Sequence, residues 1–336
     1  MHPHPAYFAL VMATGIVSIA SNLMGLRSVA LCLQLMNGAF YVALWAFMIR
    51  RALRFPRAFA ADVGDHSRGV GFFTWAAASC VLSTQCVLVY RVAWLAVGLW
   101  ALGVFLFVLV TYAVFAALTV NRSKPDLERG LNGGWLVAVV AAQAVSVSSC
   151  QLVAVAPSYQ AALLFLAVSA WSCGGLLYVW IGGLVFYRYT FFAMDPADLQ
   201  PPYWINMGAA AITTLAGACL SLAAPQSELL TSLLPSLRGG SVAAWAIATW
   251  WIPLLVVLGW WRHVLRRVPV RYDPLYWSAV FPLGMYTACS VKLIEALDLG
   301  FLRPLPQVFL YIALSAWGLT FAGLCHSLFA RAAVER

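Results

Sequence analysis

Apolar runs long enough to cross a bilayer follow one another along almost the whole chain, and they constrain its fold more than any other feature. Broken at charges, prolines and glycines, they give ten spans with approximate limits 5–26, 29–50, 69–90, 92–120, 131–155, 159–187, 203–224, 241–263, 274–297 and 305–329. Each is near or above the ~20 residues that a helix needs to cross the hydrocarbon. A segment in lipid must satisfy its own backbone donors and acceptors, so such spans read as α-helices. With 63% hydrophobic and only 9% charged residues, a soluble fold could not keep this surface out of water. No hydrophilic stretch is long enough for a soluble domain, so residues 1–336 read as a single all-α transmembrane domain. The opening "MHPHPAYFALVMATG" lacks a basic region and an A-x-A cleavage site, so it reads as a retained first span.

The basic residues predict the orientation. Fifteen fall on one side of the spans, from the loop "RRALRFPRAFAADVGDHSR" to Arg331 and Arg336, against Arg27, Arg91, Arg238 and Arg303 on the other. The positive-inside rule then puts both termini in the cytoplasm of a multi-pass protein of the cell (inner) membrane. The net charge of +9 reflects this topology. Scattered over short loops, it does not form a nucleic-acid surface.

A repeat runs through the odd spans. "YFALVMATGIVS" in span one, "WLVAVVAAQAVS" in span five, "INMGAAAIT" in span seven and "AVFPLGMYT" in span nine share a bulky start, small middle and closing hydroxyl. Those hydroxyls are Ser18, Ser146, Thr213 and Thr287; in span three, Ser79 stands 67 residues before Ser146, which stands 67 before Thr213. Even spans look different: three carry segments that open on Trp100, Trp171 and Trp317. The unit is a helical hairpin repeated five times, with successive units parallel about an axis along the membrane normal. Small and hydroxylated odd spans suit an inner ring, and Leu-, Phe- and Trp-rich even spans suit lipid. The expected architecture is five hairpins in a quasi-five-fold ring around a central pore, the hydroxyls lining it. An ordinary bundle with a filled interior is the alternative.

Phe281 occupies the repeat position of Met12, Val140 and Met207, so these four are expected to meet as an apolar neck. Such a neck gates by dewetting, because it returns nothing for the hydration an ion sheds. A lone core phenylalanine is the other reading. Pro282 removes a backbone donor and predicts a kink in span nine, with Gly284 adding local freedom. Lys292 and Glu295 lie at i, i+3 on one face. They form either a structural pair or a charge that draws anions toward an outer vestibule; beyond them the interiors of the predicted spans carry no charge. A path of hydroxyls without a carboxylate relay suits a passive anion conduit. HExxH, GxSxG and Gly-rich phosphate loops do not occur, so no enzyme is expected. His263 and His326 stand singly at helix ends and the eight Cys show no CxxC pairs, so neither cofactor, metal nor disulfide framework is expected.

"AYFALVMATGIVS", "PPYWINMGAAAIT" and "YWSAVFPLGMYT" resemble the tellurite-resistance/dicarboxylate transporter family of bacterial TehA-like proteins, yeast sulfite and malate transporters and plant slow anion channels. The resemblance implies ten helices in five hairpins around a pore, a ninth-helix phenylalanine gate that falls on Phe281, and a homotrimer. It implies an anion channel or channel-like exporter of small anions, or else a proton-coupled carrier of a C4-dicarboxylate or sulfite, with a tellurite-resistance association. The family often kinks several inner helices with proline; among the odd spans here only span nine has one at mid-helix.

Overall fold

The computed structural model describes residues 4–334, with side chains to residue 330; Arg336 and the side chain of Arg331, both used to predict orientation, lie outside the described residues. Ten helices are long and apolar enough to cross a membrane. They are α1 (Pro5–Leu23), α2 (Arg27–Arg54), α3 (Gly69–Tyr90), α4 (Ala93–Val120), α5 (Gly133–Leu152), α6 (Pro157–Phe191), α7 (Pro201–Gln226), α8 (Glu228–Leu265), α9 (Pro274–Leu297) and α10 (Gly300–Ala330). Among the described residues there is no strand.

Every odd helix opens with a 3-10 turn, at Pro5–Phe8, Gly69–Phe72, Gly133–Leu136, Pro201–Trp204 and Pro274–Tyr276. Proline at the first positions of three of these turns supplies a φ already suited to a helix and removes a donor that would have no partner. His4 Nδ1, Asn132 Oδ1 and Asp273 Oδ1 accept from Ala6 N, Gly134 N and Leu275 N at 3.1, 2.8 and 2.7 Å, capping three of the five starts. At the other end, three hairpins turn through left-handed backbone at Gly25, Arg91 and Asp298.

Odd and even helices have different environments. The apolar windows of α1, α3, α5, α7 and α9 are 67–94% buried, and those of the even helices 11–33%. Each even helix packs against the odd helix before it, which gives the five hairpins. The odd helices contact one another in the closed order α1, α3, α5, α7, α9 and back to α1.

Side-chain hydrogen bonds repeat around this cycle. Within hairpins, Ser18, Ser83 and Ser146 each donate to an even-helix carbonyl, of Ala30, Ala96 and Ala167, at 2.7 Å. Between hairpins, an even-helix indole N–H reaches the next odd helix: Trp100 to Ser149 Oγ, Trp171 to Thr213 O, Trp245 to Ser290 Oγ and Trp317 to Thr14 Oγ1, at 2.8–3.1 Å. Tyr41 with Ser79 and Asn37 with Gln85 join α2 to α3 in the same sense. A buried indole or hydroxyl needs such a partner, so these bonds fix each helix's rotation as well as its position.

Two sequence expectations need correction. Helix α8 begins at Glu228, not at 241, and runs through Pro235 and Pro253. Leu230 and Leu237 of its early turns are fully buried against Leu164, Ala167 and Leu220, and that packing outweighs the helix-breaking tendency of Pro235. Nor are the spans free of charge beyond Lys292 and Glu295. Helices α2 and α6 extend over Arg51 and Arg188, both buried; Arg51 pairs with Asp62 at 2.5 Å. A cation near a helix C-terminus also satisfies the negative end of the dipole.

Candidate permeation pathway

Three cavities are lined by the cycle of odd helices, each by residues of all five. The largest, about 770 Å³, lies at their N-terminal ends, where His4, Gly71, Asn132, Pro202 and Leu275 mark the start of each helix. Deeper along the helices is a neck of only about 10 Å³, lined by Ala9, Met12, Thr74, Val137, Val140, Ile205, Ser278 and Phe281. Thr74, Val137, Ile205 and Ser278 belong to both, so the two cavities adjoin. The third cavity, about 30 Å³, follows one to two turns further on, at Ile16, Ala144, Ile212 and Met285, and reaches Gln151, Cys219 and Lys292.

Phe281 is 1% exposed and lines the same cavity as Met12 and Val140. Met207 is buried but does not line it. The lining steps 9, 12, 16 on α1, 137, 140, 144 on α5 and 278, 281, 285 on α9 correspond on α7 to 205, 208, 212, so Gly208 stands at the level expected for Met207. The α7 alignment is displaced by one residue. On α3 the steps 74, 81, 84 put Ala77 at that level, and Ser83, not Ser79, matches Ser18 and Ser146 in its bond.

The predicted pore hydroxyls stand elsewhere. Ser18 and Ser146 face the even helices, as described above. Thr213 Oγ1 donates to Ala209 O and Thr287 Oγ1 to Leu283 O, four residues back along their own helices. None of the four is among the residues around the three cavities. A hydroxyl in lipid finds a carbonyl where water is absent, which is what these do. Gly284 serves close packing: a Cβ there would come within 3.0 Å of Ile16 and Val17 on α1. Pro282 lies inside α9 and rests against Gly208.

Electrostatics differ between the two ends. Five helix N-termini converge on the large vestibule, each equivalent to roughly +0.5 charge. Arg68, Arg129 and Arg188 line it with Glu128 and Asp198. The pKa of His4 is lowered to about 4, first by burial and then by the positive charge of Arg68, so the ring is neutral at pH 7. At the other end, Lys292 stands among the last turns of the odd helices, where a cation offsets their negative ends, and pairs with Glu295 at 2.6 Å. Among the described residues, neither the neck nor the third cavity is lined by a carboxylate.

Sequence reasoning missed the polar and apolar rim at Thr74, Val137, Ile205 and Ser278. It also placed Arg188 in a loop, where "VFYRYTFF" marks no helix end.

Ten membrane-length helices define a multi-pass membrane protein, and its family is one of channels and transporters. Residues 2–325 match the voltage-dependent anion channel (SLAC1) family, and the chain belongs to that family. It is 43% identical over 153 residues to an uncharacterized membrane protein of Mycobacterium tuberculosis, across 45% of this chain and 77% of the relative. It is 23% identical over 297 residues to an uncharacterized transporter of Methanocaldococcus jannaschii, across 85% of this chain and 82% of the relative.

Proposed function

We propose that the protein is a passive conduit for small anions, with the cycle of odd helices enclosing a quasi-five-fold pore and Phe281 closing it. The observation that carries this reading is the order of features along the cycle: a vestibule at five helix N-termini, a narrow and mostly apolar neck, then a cavity ending at Lys292. The vestibule concentrates anions before they meet the neck. At the neck an ion loses water and finds only methyls, a ring and two hydroxyls, so the closed path resists conduction. The arginine-rich vestibule is the cytoplasmic end, in keeping with the basic asymmetry of the loops. A homotrimer and a tellurite-resistance association are proposed on the family resemblance.

Proton-coupled transport of a C4-dicarboxylate or sulfite is the competing mechanism. The lack of lining carboxylates along neck and outer cavity, among the described residues, favours the conduit. Reconstituted protein under opposed anion and pH gradients separates the two. A conduit reverses at the Nernst potential of its anion whatever the pH gradient; a coupled carrier's reversal moves with that gradient.

A further inference from the structure

Arg188 is held in an unusual way. Its side chain is 5% exposed at the edge of the vestibule. Nε donates to the carbonyl of Glu128 at 2.7 Å, and Nη1 donates to the hydroxyl of Tyr203 and lies 3.4 Å from Met194 Sδ. The Tyr203 ring covers the guanidinium at 5.8 Å. These partners are neutral: they fix the plane of the fork without cancelling its charge. Among the described residues, Nη2 has only the carboxylate of Asp198, at 3.6 Å, an ion-pair distance too long for a hydrogen bond. Asp198 is 51% exposed and sits outside the helices, in the connection between α6 and α7. Arg129, next to Glu128, also lines the vestibule; among the described residues its guanidinium has no hydrogen-bond or ion-pair partner.

We propose that the Nη2 edge of Arg188 is an anion-binding site at the pore entrance, and that Asp198 is a tethered carboxylate that competes for it. The proposal rests on reading the vestibule as that entrance. A buried charge needs a counter-charge, and a half-exposed carboxylate at 3.6 Å supplies one that an incoming anion can displace. Because Nε and Nη1 are already engaged, the bidentate grip that favours carboxylates is not free. The remaining edge takes a halide or one oxygen of nitrate, so the ligand class is the small monovalent anion.

The test uses the full-length protein at constant ionic strength, with gluconate replaced by chloride or nitrate. Thermal stabilisation gives the half-saturating concentration for binding, and vesicle efflux gives it for transport. Asp198→Asn lowers both by about two- to fivefold, the worth of a partly exposed ion pair, while Asp198→Glu keeps them near the wild-type value. Arg129→Gln raises them. An unchanged half-saturating concentration in folded Asp198→Asn protein overturns the site, even if efflux persists and the conduit stands. Anion-dependent stabilisation that responds to Asp198→Asn, with no efflux from any variant, supports the site and removes the conduit.

Discussion

A side chain at position 208 would have to occupy the space taken by the ring of Pro282: a Cβ built on Gly208 comes within 2.7 Å of Pro282 Cγ and 3.4 Å of its Cα. Close-packed interiors do not absorb such an overlap without movement. On its opposite flank α9 is seated by Gly284 against Ile16 and Val17 of α1. Phe281, next to Pro282, therefore takes its position in the neck from two close approaches, one at Gly208 of α7 and one at Gly284 of α9 itself, against α1.

Gly208→Ala displaces Pro282 and draws Phe281 from the neck, so anion flux per folded molecule rises. Pro282→Ala in the same protein removes the colliding ring and restores low flux. A folded Gly208→Ala protein with wild-type flux would show that α7 does not position the aromatic.

The hairpin hydroxyls act on stability, not on conduction. Ser146→Ala removes the bond to Ala167 and lowers stability by about 0.6 kcal/mol, the mean for such bonds between helices in lipid. Permeability ratios among anions stay unchanged. Altered ratios at equal protein level would return Ser146 to the pore wall.

That outcome marks what the sequence could and could not convey. Hydropathy showed the number of helices, and the repeat showed which of them lie inside, because lipid excludes polar surface from one set and packing demands small residues of the other. The level of Phe281, Met12 and Val140 was legible for the same reason. Met207 was misplaced because a helix rotates by about 100° per residue, so an alignment slip of one residue turns a side chain to another face, whereas Ser79 was placed four residues, about one turn, before Ser83 and so at the wrong level. Arg188 was hidden because its burial depends on Tyr203, fifteen residues on, and on a backbone carbonyl of Glu128, sixty residues earlier.

The proposed pathway assigns Lys292 a role through its charge. Lys292→Gln lowers conductance more at low than at high ionic strength, since screening already weakens the charge in concentrated salt. Equal loss at all salt concentrations, in protein of normal abundance, would reduce the pair with Glu295 to a structural role.

Acid weakens the start of α1. The folded pKa of His4, about 4, lies below the ordinary 6.5; burial dominates, Arg68 adds to the shift, and Asp62, Asp65 and Asp273 oppose it. Between those values the unfolded chain holds a proton here that the folded chain does not, so stability falls as pH drops through the window. Protonation also removes the lone pair that caps Ala6 N. His4→Asn keeps an acceptor and does not titrate, so melting temperature between pH 7 and 5 declines less steeply than in the wild type. An identical decline would exclude His4 from the acid response.

The central claim is that Phe281 closes an anion path, and Phe281→Ala tests it most directly. If the ring only filled a core, truncation would cost roughly 3–5 kcal/mol and deplete folded protein without opening anything. In a neck of about 10 Å³, near the least volume that holds one water, removing the ring admits a wetted passage. Anion flux from vesicles, normalised to folded protein, therefore rises strongly in Phe281→Ala and less in Phe281→Leu. Unchanged or reduced flux in well-folded Phe281→Ala protein would contradict the claim.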